Sequence, residues 1–401
     1  MNRIHNISIN NYRSCINTDF PLYRPLSALI GINGVGKTNI LSAIANLSSI
    51  GTHINNQERL SKNLESDSAS ISLQLSMDDA LYDVRALFVL EFDEYKEKIR
   101  YTKLEYKKTN ASKWIAIGEE YFRYAEFYFD KTQPEFSATI KNSIISDPVK
   151  MVEQKYGIIS ILMDVAYFSA TRFADPTKSS TSIELKERGM PARLNRFNHH
   201  DSFLRDLYDA SLGDGSFDKF LNIVGPGGLG LVDHIAFETI NIPSTTYKVL
   251  VGGRYQNKES VRKLVVPSVI VDGLNLSFSQ LSEGTFKTLA LVFYILNSNQ
   301  QILLVEEPEV CVHHGLLTSI IELIKVESNT KQIIISTHSD YVLSMLDPEN
   351  IVMVTKSKET GTIAKPLDKA MQEDDYKYLK TYLNESGNLG EYWRESGFTN
   401  E

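Results

Sequence analysis

Cysteine is scarce: two residues, Cys15 and Cys311, in a chain of 401. That excludes the disulfide framework of a secreted scaffold and fits a reducing compartment. Long hydrophobic runs are also missing. The longest, residues 289–296, is far short of a bilayer span, and no apolar signal-peptide core follows Met1. A cytoplasmic protein without a membrane partner is therefore expected. Positive charge is in deficit, with a net charge of −8. A protein that coats nucleic acid over its whole surface is thus excluded, and any DNA or RNA contact must come from a local basic patch. The chain has no heptad array, internal repeat or low-complexity tract, which excludes solenoids and long coiled coils. What is present is ordinary globular composition, 42% hydrophobic and 23% charged, in a length that can bury a full core.

The strongest local signal is Gly31-Ile32-Asn33-Gly34-Val35-Gly36-Lys37-Thr38, a glycine, four residues, then Gly-Lys-Thr. This is the phosphate-binding P-loop pattern. Its glycines allow backbone N–H groups to turn toward phosphate oxygens. Lys37 is a mobile cation for the β- and γ-phosphates, and Thr38 offers a hydroxyl to Mg²⁺. The flanks suit the motif: residues 27–30 read as a buried strand and 39–47 as a helix, whose N-terminal dipole favours an anion. Asn33 to Thr38, with Asn39, are the candidate nucleotide-binding residues, and ATP with Mg²⁺ the candidate cofactors.

Two further stretches complete such a site. Ile302-Leu303-Leu304-Val305-Glu306-Glu307-Pro308-Glu309 is a buried strand ending in acids, the pattern of a Walker B element. Glu306 is the candidate metal ligand, although most P-loop enzymes have Asp there, and Glu307 the candidate base that polarises the attacking water. Gln332-Ile333-Ile334-Ile335-Ser336 is another buried strand and runs into Thr337-His338-Ser339, placing His338 as a candidate catalytic residue that senses the γ-phosphate or the water. Leu281-Ser282-Glu283-Gly284-Thr285 precedes an apolar helix. Ser282 there is a plain N-cap or part of a γ-phosphate grip.

The order P-loop, LSEGT, EEPE, STHS resembles the ABC-type ATPase heads of the RecF, SMC and OLD group, in style closest to stand-alone ATPases of bacterial phage-defence systems (Septu PtuA, PARIS AriA, RloA-like proteins). The resemblance spans the segment through about residue 60 and that from about 270 to 355. It implies an α/β P-loop fold and a head-to-head homodimer, or higher even oligomer, closing on two ATP and two Mg²⁺. LSEGT would then act in trans, Ser282 and the Gly284 N–H touching the γ-phosphate held by the opposite subunit. His338 would be the switch histidine. Arg13, in the NFRS-like segment Asn11-Tyr12-Arg13-Ser14, would lie near the nucleotide, and Val312-His313 where the D-loop runs. His314 stands where relatives often carry Pro. No glutamine fills the Q-loop place, whose equivalent is residues 167–172. An SMC rod is excluded because the heptad-patterned stretch between the two halves is missing. OLD-type nucleases carry a TOPRIM domain after this block, and the stretch after His338 is short for one. A separate effector protein, nuclease or toxin, is therefore the expected partner. A RecF-like DNA-binding repair ATPase and an ATP-binding scaffold with little turnover are the alternatives.

The expected organisation is one ABC-type ATPase domain: a P-loop block at 1–64, a β-rich lobe at 65–150, a partly helical lobe at 151–275, the signature, Walker B and switch block at 276–355, and a C-terminal tail at 356–401 that is charged and aromatic, helical and peripheral from Asp374. Gly225 to Gly230 spells a dinucleotide fingerprint, but the strand-like residues after it deny the required context. His199-His200 and His313-His314 are adjacent pairs without the spacing of a zinc site. Basic residues at 96–108 interleave with tyrosines and with acids, as on a solvated strand face. Lys186, Arg188, Arg193, Arg196 and Arg205 have fewer acids nearby and are the better candidate for nucleic acid or a partner.

Overall fold

The computed structural model describes residues 2–49, 68–93, 96–118, 149–185, 199–213, 215–249, 255–297, 300–310, 312, 314–385 and 387–396. It divides into two compact units. The first comprises Met1–Phe168, Ser298–Glu309 and Ile321–Glu401, and the second Ser169–Asn297 with Val310–Ile320.

The first unit is built on one twelve-stranded sheet. Its strands are β1 (Ile4–Tyr12), β2 (Cys15–Pro21), β3 (Leu26–Ile30), β4 (Ser68–Met77), β5 (Ala80–Asp93), β6 (Lys96–Lys108), β7 (Ile115–Ile117) and β8 (Val165–Ser169). Four strands of the second unit, β9 (Ile183–Leu185), β10 (His234–Val249), β11 (Tyr255–Val271) and β12 (Leu274–Leu276), come next in the chain. The first sheet is then completed by β13 (Ile302–Glu306), β14 (Gln332–Thr337), β15 (Ile351–Ser357) and β16 (Gly361–Pro366). The order is β7-β6-β5-β4-β1-β2-β16-β15-β3-β14-β13-β8.

Sequence pattern sets the place of each strand. β3 and β14 are buried at every residue, and β13 at all but its last. Such continuous apolar runs need cover on both faces, and these strands pair in parallel, β13 with β14 and β14 with β3. β1 and β4 alternate buried and part-exposed residues and pair antiparallel, as half-covered strands do. β4 to β7, in the range expected to form a β-rich lobe, continue the same sheet antiparallel. The helices Lys37–Ser49 and Val149–Met163 bury Ile40, Leu41, Ile44, Leu47, Ile158 and Ile161 against it, in one core with Ile7, Ile9, Ile71 and Leu304.

In the second unit β10 and β11 form a long antiparallel ribbon from His234↔Ile270 to Val249↔Tyr255, joined by β12 and β9. The helix Glu283–Asn297 is buried from Phe286 through Phe293, the signature of a core helix. Its Phe286 and Phe293 meet Phe203 edge-on at 5.6 Å, and Phe220 meets Phe293 at the same distance. His200 stacks on Phe286 at 5.1 Å and reaches Ala174 O at 3.0 Å, which fits a core histidine.

Candidate nucleotide-binding site

The P-loop leaves β3 and enters the helix at Lys37, so the helix N-terminus and its unpaired N–H groups face the loop. Lys37 is 5% exposed. Its Nζ donates to Gly31 O at 2.7 Å and to Ile32 O at 3.2 Å. Burial lowers the ammonium's pKa, and Glu307, Glu309 and Glu306 push it back. The cation is thus desolvated, its hydrogen-bond acceptors among the described residues are neutral carbonyls, and an anionic phosphate oxygen would make the stronger bond.

The acidic strand end arrives from far along the chain. Thr38 Oγ1 donates to Glu306 Oε1 at 2.5 Å, and Tyr167 Oη donates to Glu306 Oε2 at 2.8 Å. Tyr167, the first residue of the 167–172 stretch, thereby orients the carboxylate. The strand that runs into His338, β14, lies between β3 and β13. That order brings His338 Nδ1 to 3.2 Å from Glu307 Oε1 and 3.4 Å from Glu309 Oε1. Glu307 has a φ of 46°, and its N–H donates to Ser336 O at 3.0 Å. This left-handed step turns the chain at the strand end and lets consecutive acids take different neighbours: Glu306 faces Thr38, while Glu307 faces His338.

A brace that the sequence reading missed supports the loop from behind. β16 pairs β15 and touches β2 at Gly361↔Cys15. Thr362 Oγ1 donates to Val35 O at 2.7 Å and lies 2.7 Å from Ser14 Oγ, which accepts from Asn39 Nδ2 at 2.6 Å. Arg13 sits in the two-residue turn between β1 and β2 with φ 53°. Its Nη1 reaches Ser42 Oγ at 3.2 Å and Asn39 Oδ1 at 3.4 Å, so in this structure it grips the P-loop helix.

Beside the loop opens a cleft of about 770 Å³, lined by Gly31 to Val35, His338, Asp340, Lys356, Trp393 and Arg394. This corrects the expectation of a peripheral tail. The helix Leu389–Ser396 docks on Asp340–Ser344, the helix that follows His338. Arg394 Nε donates to Asp340 Oδ2 at 2.9 Å, Leu389 is buried, and at Gly390 a Cβ would overlap Asp340 O. A charged and aromatic stretch conceals such docking because its contact depends on one glycine and one ion pair.

Ser282 and Gly284 belong to the second unit. Ser282 is exposed, and its Oγ accepts from Thr285 N at 3.1 Å, capping the helix that starts at Glu283. The Gly284 N–H is among the first-turn donors that a helix leaves without an internal acceptor. His313, of the Val312-His313 segment, and most of the second basic patch lie outside the described residues; Arg205 of that patch lies on the helix His199–Ser211. No described helix is long and apolar enough to cross a membrane.

A parallel-stranded core, a glycine loop opening a helix, and an acidic strand end one strand away define an α/β P-loop NTPase, and the motif order is that of the ABC-type ATPases of the RecF, SMC and OLD group. The chain belongs to the family described as "AAA domain, putative AbiEii toxin, Type IV TA system", whose model matches residues 26–344. It is similar to the "Old nuclease" of Escherichia phage P2, 23% identical over 418 aligned positions, which cover 96% of this chain and 65% of that protein's length. Among solved structures it is similar to the SMC head domain from Thermotoga maritima, with 12% identity, a TM-score of 0.42 and coverage of 91% of this chain and 98% of that one. It is also similar to an SmcHead bound to the C-winged helix domain of ScpA, with 11% identity, a TM-score of 0.49 and coverage of 92% and 99%.

Proposed function

We propose that this chain binds and hydrolyses ATP as the motor subunit of a bacterial anti-phage defence system. Two copies close head to head on two ATP, and the cycle holds or releases a separate effector, a nuclease or a toxin. The observation that carries the ATPase reading is the meeting of Thr38 with Glu306, 268 residues apart in sequence, at 2.5 Å beside a buried Lys37. The defence setting draws on the family description, which names a toxin of a Type IV TA system, and on the phage origin of the Old nuclease.

In this reading the backbone of Asn33 to Gly36 cradles the β- and γ-phosphates, and Lys37 exchanges its carbonyl partners for phosphate oxygens. Asn39 and Arg13 hold the start of the P-loop helix against β1 and β2. Thr38 and Glu306 are hard oxygen donors of the kind Mg²⁺ takes, and that ion fills its other positions with water and phosphate, so two protein donors suffice. Magnesium, when bound, neutralises charge on the phosphates. Glu307 accepts the proton of the attacking water, and His338 lines the cleft where the γ-phosphate would lie. Ser282 and the Gly284 N–H complete the site of the opposite copy.

The trans arrangement has a direct test. Lys37→Ala should not bind nucleotide, and Ser282→Arg should bind it but neither dimerise nor turn over. Mixing the two inactive chains should restore activity, because one mixed dimer holds one intact site. Mixtures as inactive as their components, with wild type active, would sink the paired-head reading. Purification with the product of a neighbouring gene tests the effector, and failure of any co-encoded protein to associate would count against the defence role.

A further inference from the structure

The third acid of the EEPE stretch has no role in the chemistry proposed above, yet it is more deeply placed than Glu307. The Glu309 side chain is 10% exposed, against 29% for Glu307. Its Oε1 accepts from Thr337 Oγ1 at 2.7 Å and from His338 N at 3.1 Å. Thr337 is fully buried and its hydroxyl oxygen already accepts from Ser339 N at 3.0 Å, so the hydroxyl hydrogen is directed at Glu309. Oε2 is buried with no hydrogen-bond partner among the described residues. A carboxyl group at the end of a strand could turn outward to water. This one is held inward by two donors and leaves an oxygen unsatisfied among the described residues, an arrangement that costs free energy. Burial accordingly pushes its pKa up. Among the described residues, the titratable groups near it are His338, Glu307 and Lys37.

We propose that Glu309 is a positioning residue for hydrolysis, which locks the His338 imidazole in one orientation and tautomer so that Glu307 stays available to the attacking water. His338 Nδ1 stands between two carboxyl oxygens, Glu307 Oε1 at 3.2 Å and Glu309 Oε1 at 3.4 Å. A ring nitrogen between two acceptors carries its hydrogen there, and Nε2 is left for the cleft that His338 lines. With Glu309 gone, Glu307 would be the imidazole's one carboxylate partner, and the base would be tied to the ring. The inference rests on the ATPase reading.

The test uses the full chain with Mg²⁺ and ATP. Glu309→Gln keeps an acceptor for Thr337 and His338 N and removes the carboxylate. Its kcat should fall about 10–100-fold, the scale of an orienting partner, with KM and the affinity for a fluorescent ATP analogue unchanged within about twofold. Because Glu309 acts through the ring, Glu309→Gln combined with His338→Gln should be no slower than His338→Gln alone. A kcat within twofold of wild type, or losses that multiply in the double variant, would overturn the proposal. If Glu309→Gln does not fold, Thr337→Val removes one donor and leaves the carboxylate; a fall in kcat with affinity kept supports the proposal, and an unchanged kcat ends it. A wild-type chain without turnover, or a Lys37→Ala chain with wild-type turnover, overturns the ATPase reading itself and this inference with it.

Discussion

Alanine at Gly36 would show how far strand β16 supports the phosphate loop. Gly36 has φ +112°, and a Cβ there would collide with Thr362 Oγ1, lie 3.0 Å from Thr362 Cγ2 and stand 2.7 Å from Ser14 Oγ. Positive φ alone costs a non-glycine residue about 1–2 kcal/mol. Relief of the collision requires Thr362 to move, and Thr362 is fully buried. That forfeits its hydrogen bond to Val35 O, worth about 0.5–1.5 kcal/mol, and overpacks the space at about 1–3 kcal/mol. Gly36→Ala should therefore destabilise the first unit by about 3–6 kcal/mol. Gly34 is the control: its φ is +85°, but no heavy atom lies within 4 Å of the added Cβ. Gly34→Ala should cost the backbone part only, about 1–2 kcal/mol. Urea denaturation of both variants, of Thr362→Ala and of the double variant Gly36→Ala/Thr362→Ala gives the comparison. The double variant should recover at least about 1 kcal/mol relative to additivity. Equal costs at Gly34 and Gly36, or strict additivity with Thr362, would refute the brace.

Three further outcomes are expected. Glu307→Gln should bind ATP, lose about 100-fold or more in turnover and accumulate as a dimer in sedimentation; undiminished turnover would remove Glu307 from the chemistry. Tyr167→Phe frees Glu306 Oε2 from its 2.8 Å donor and should raise the Mg²⁺ concentration for half-maximal activity about 10–100-fold, so an unchanged Mg²⁺ titration would deny Tyr167 its orienting role. Tryptophan occurs only at 114 and 393, so in a Trp114→Phe background the emission reports Trp393 alone. ATP should change it if the nucleotide enters the cleft beside Gly31 to Val35, and no change at saturating ATP would place the nucleotide elsewhere.

The parts of the site legible in the sequence were those carried by continuous runs. Ile302 to Val305, Ile333 to Ile335 and Ala28 to Ile30 are apolar without alternation, which fits strands covered on both faces, and all three lie side by side in the parallel core. The brace was not legible. Gly361-Thr362-Ile363-Ala364-Lys365-Pro366 is short and bounded by Gly and Pro, the punctuation of a turn, and becomes a strand through its pairing with β15. β2 escaped notice similarly, since it exists as the return arm of a two-residue hairpin. Tyr167 gave no signal as a carboxylate partner because the strand-like run 165–169 reads as a buried element and does not show which side chain meets an acid. Glu309 read as one more acid at a solvated strand end, and only its enclosure by Thr337 and His338 distinguishes it from its neighbours.

What the sequence cannot carry is register, and the site depends on it. Glu306 is level with Ser336, Ser336 with Leu29, and Leu29 with Val352, a single row across β13, β14, β3 and β15. That row sets the strand ends from which the P-loop, the acids and the histidine depart. A slip of one residue between β13 and β14 would turn Glu306 to the opposite face of the sheet and bring Glu307 to the face that met Thr38, since alternate side chains face opposite sides. The register is held outside the site, partly by Gln332, which is buried and whose side chain accepts from Ile4 N at 2.8 Å and donates to Ile4 O at 2.8 Å. An amide at the start of β14 thus ties it to the N-terminal strand β1, and the distance between Thr38 and Glu306 is inherited from that tie through the intervening buried strands. The reacting groups of this chain are short-range in chemistry and long-range in origin, so a substitution at Gln332, remote from any phosphate, should disturb the site as surely as one at Thr38.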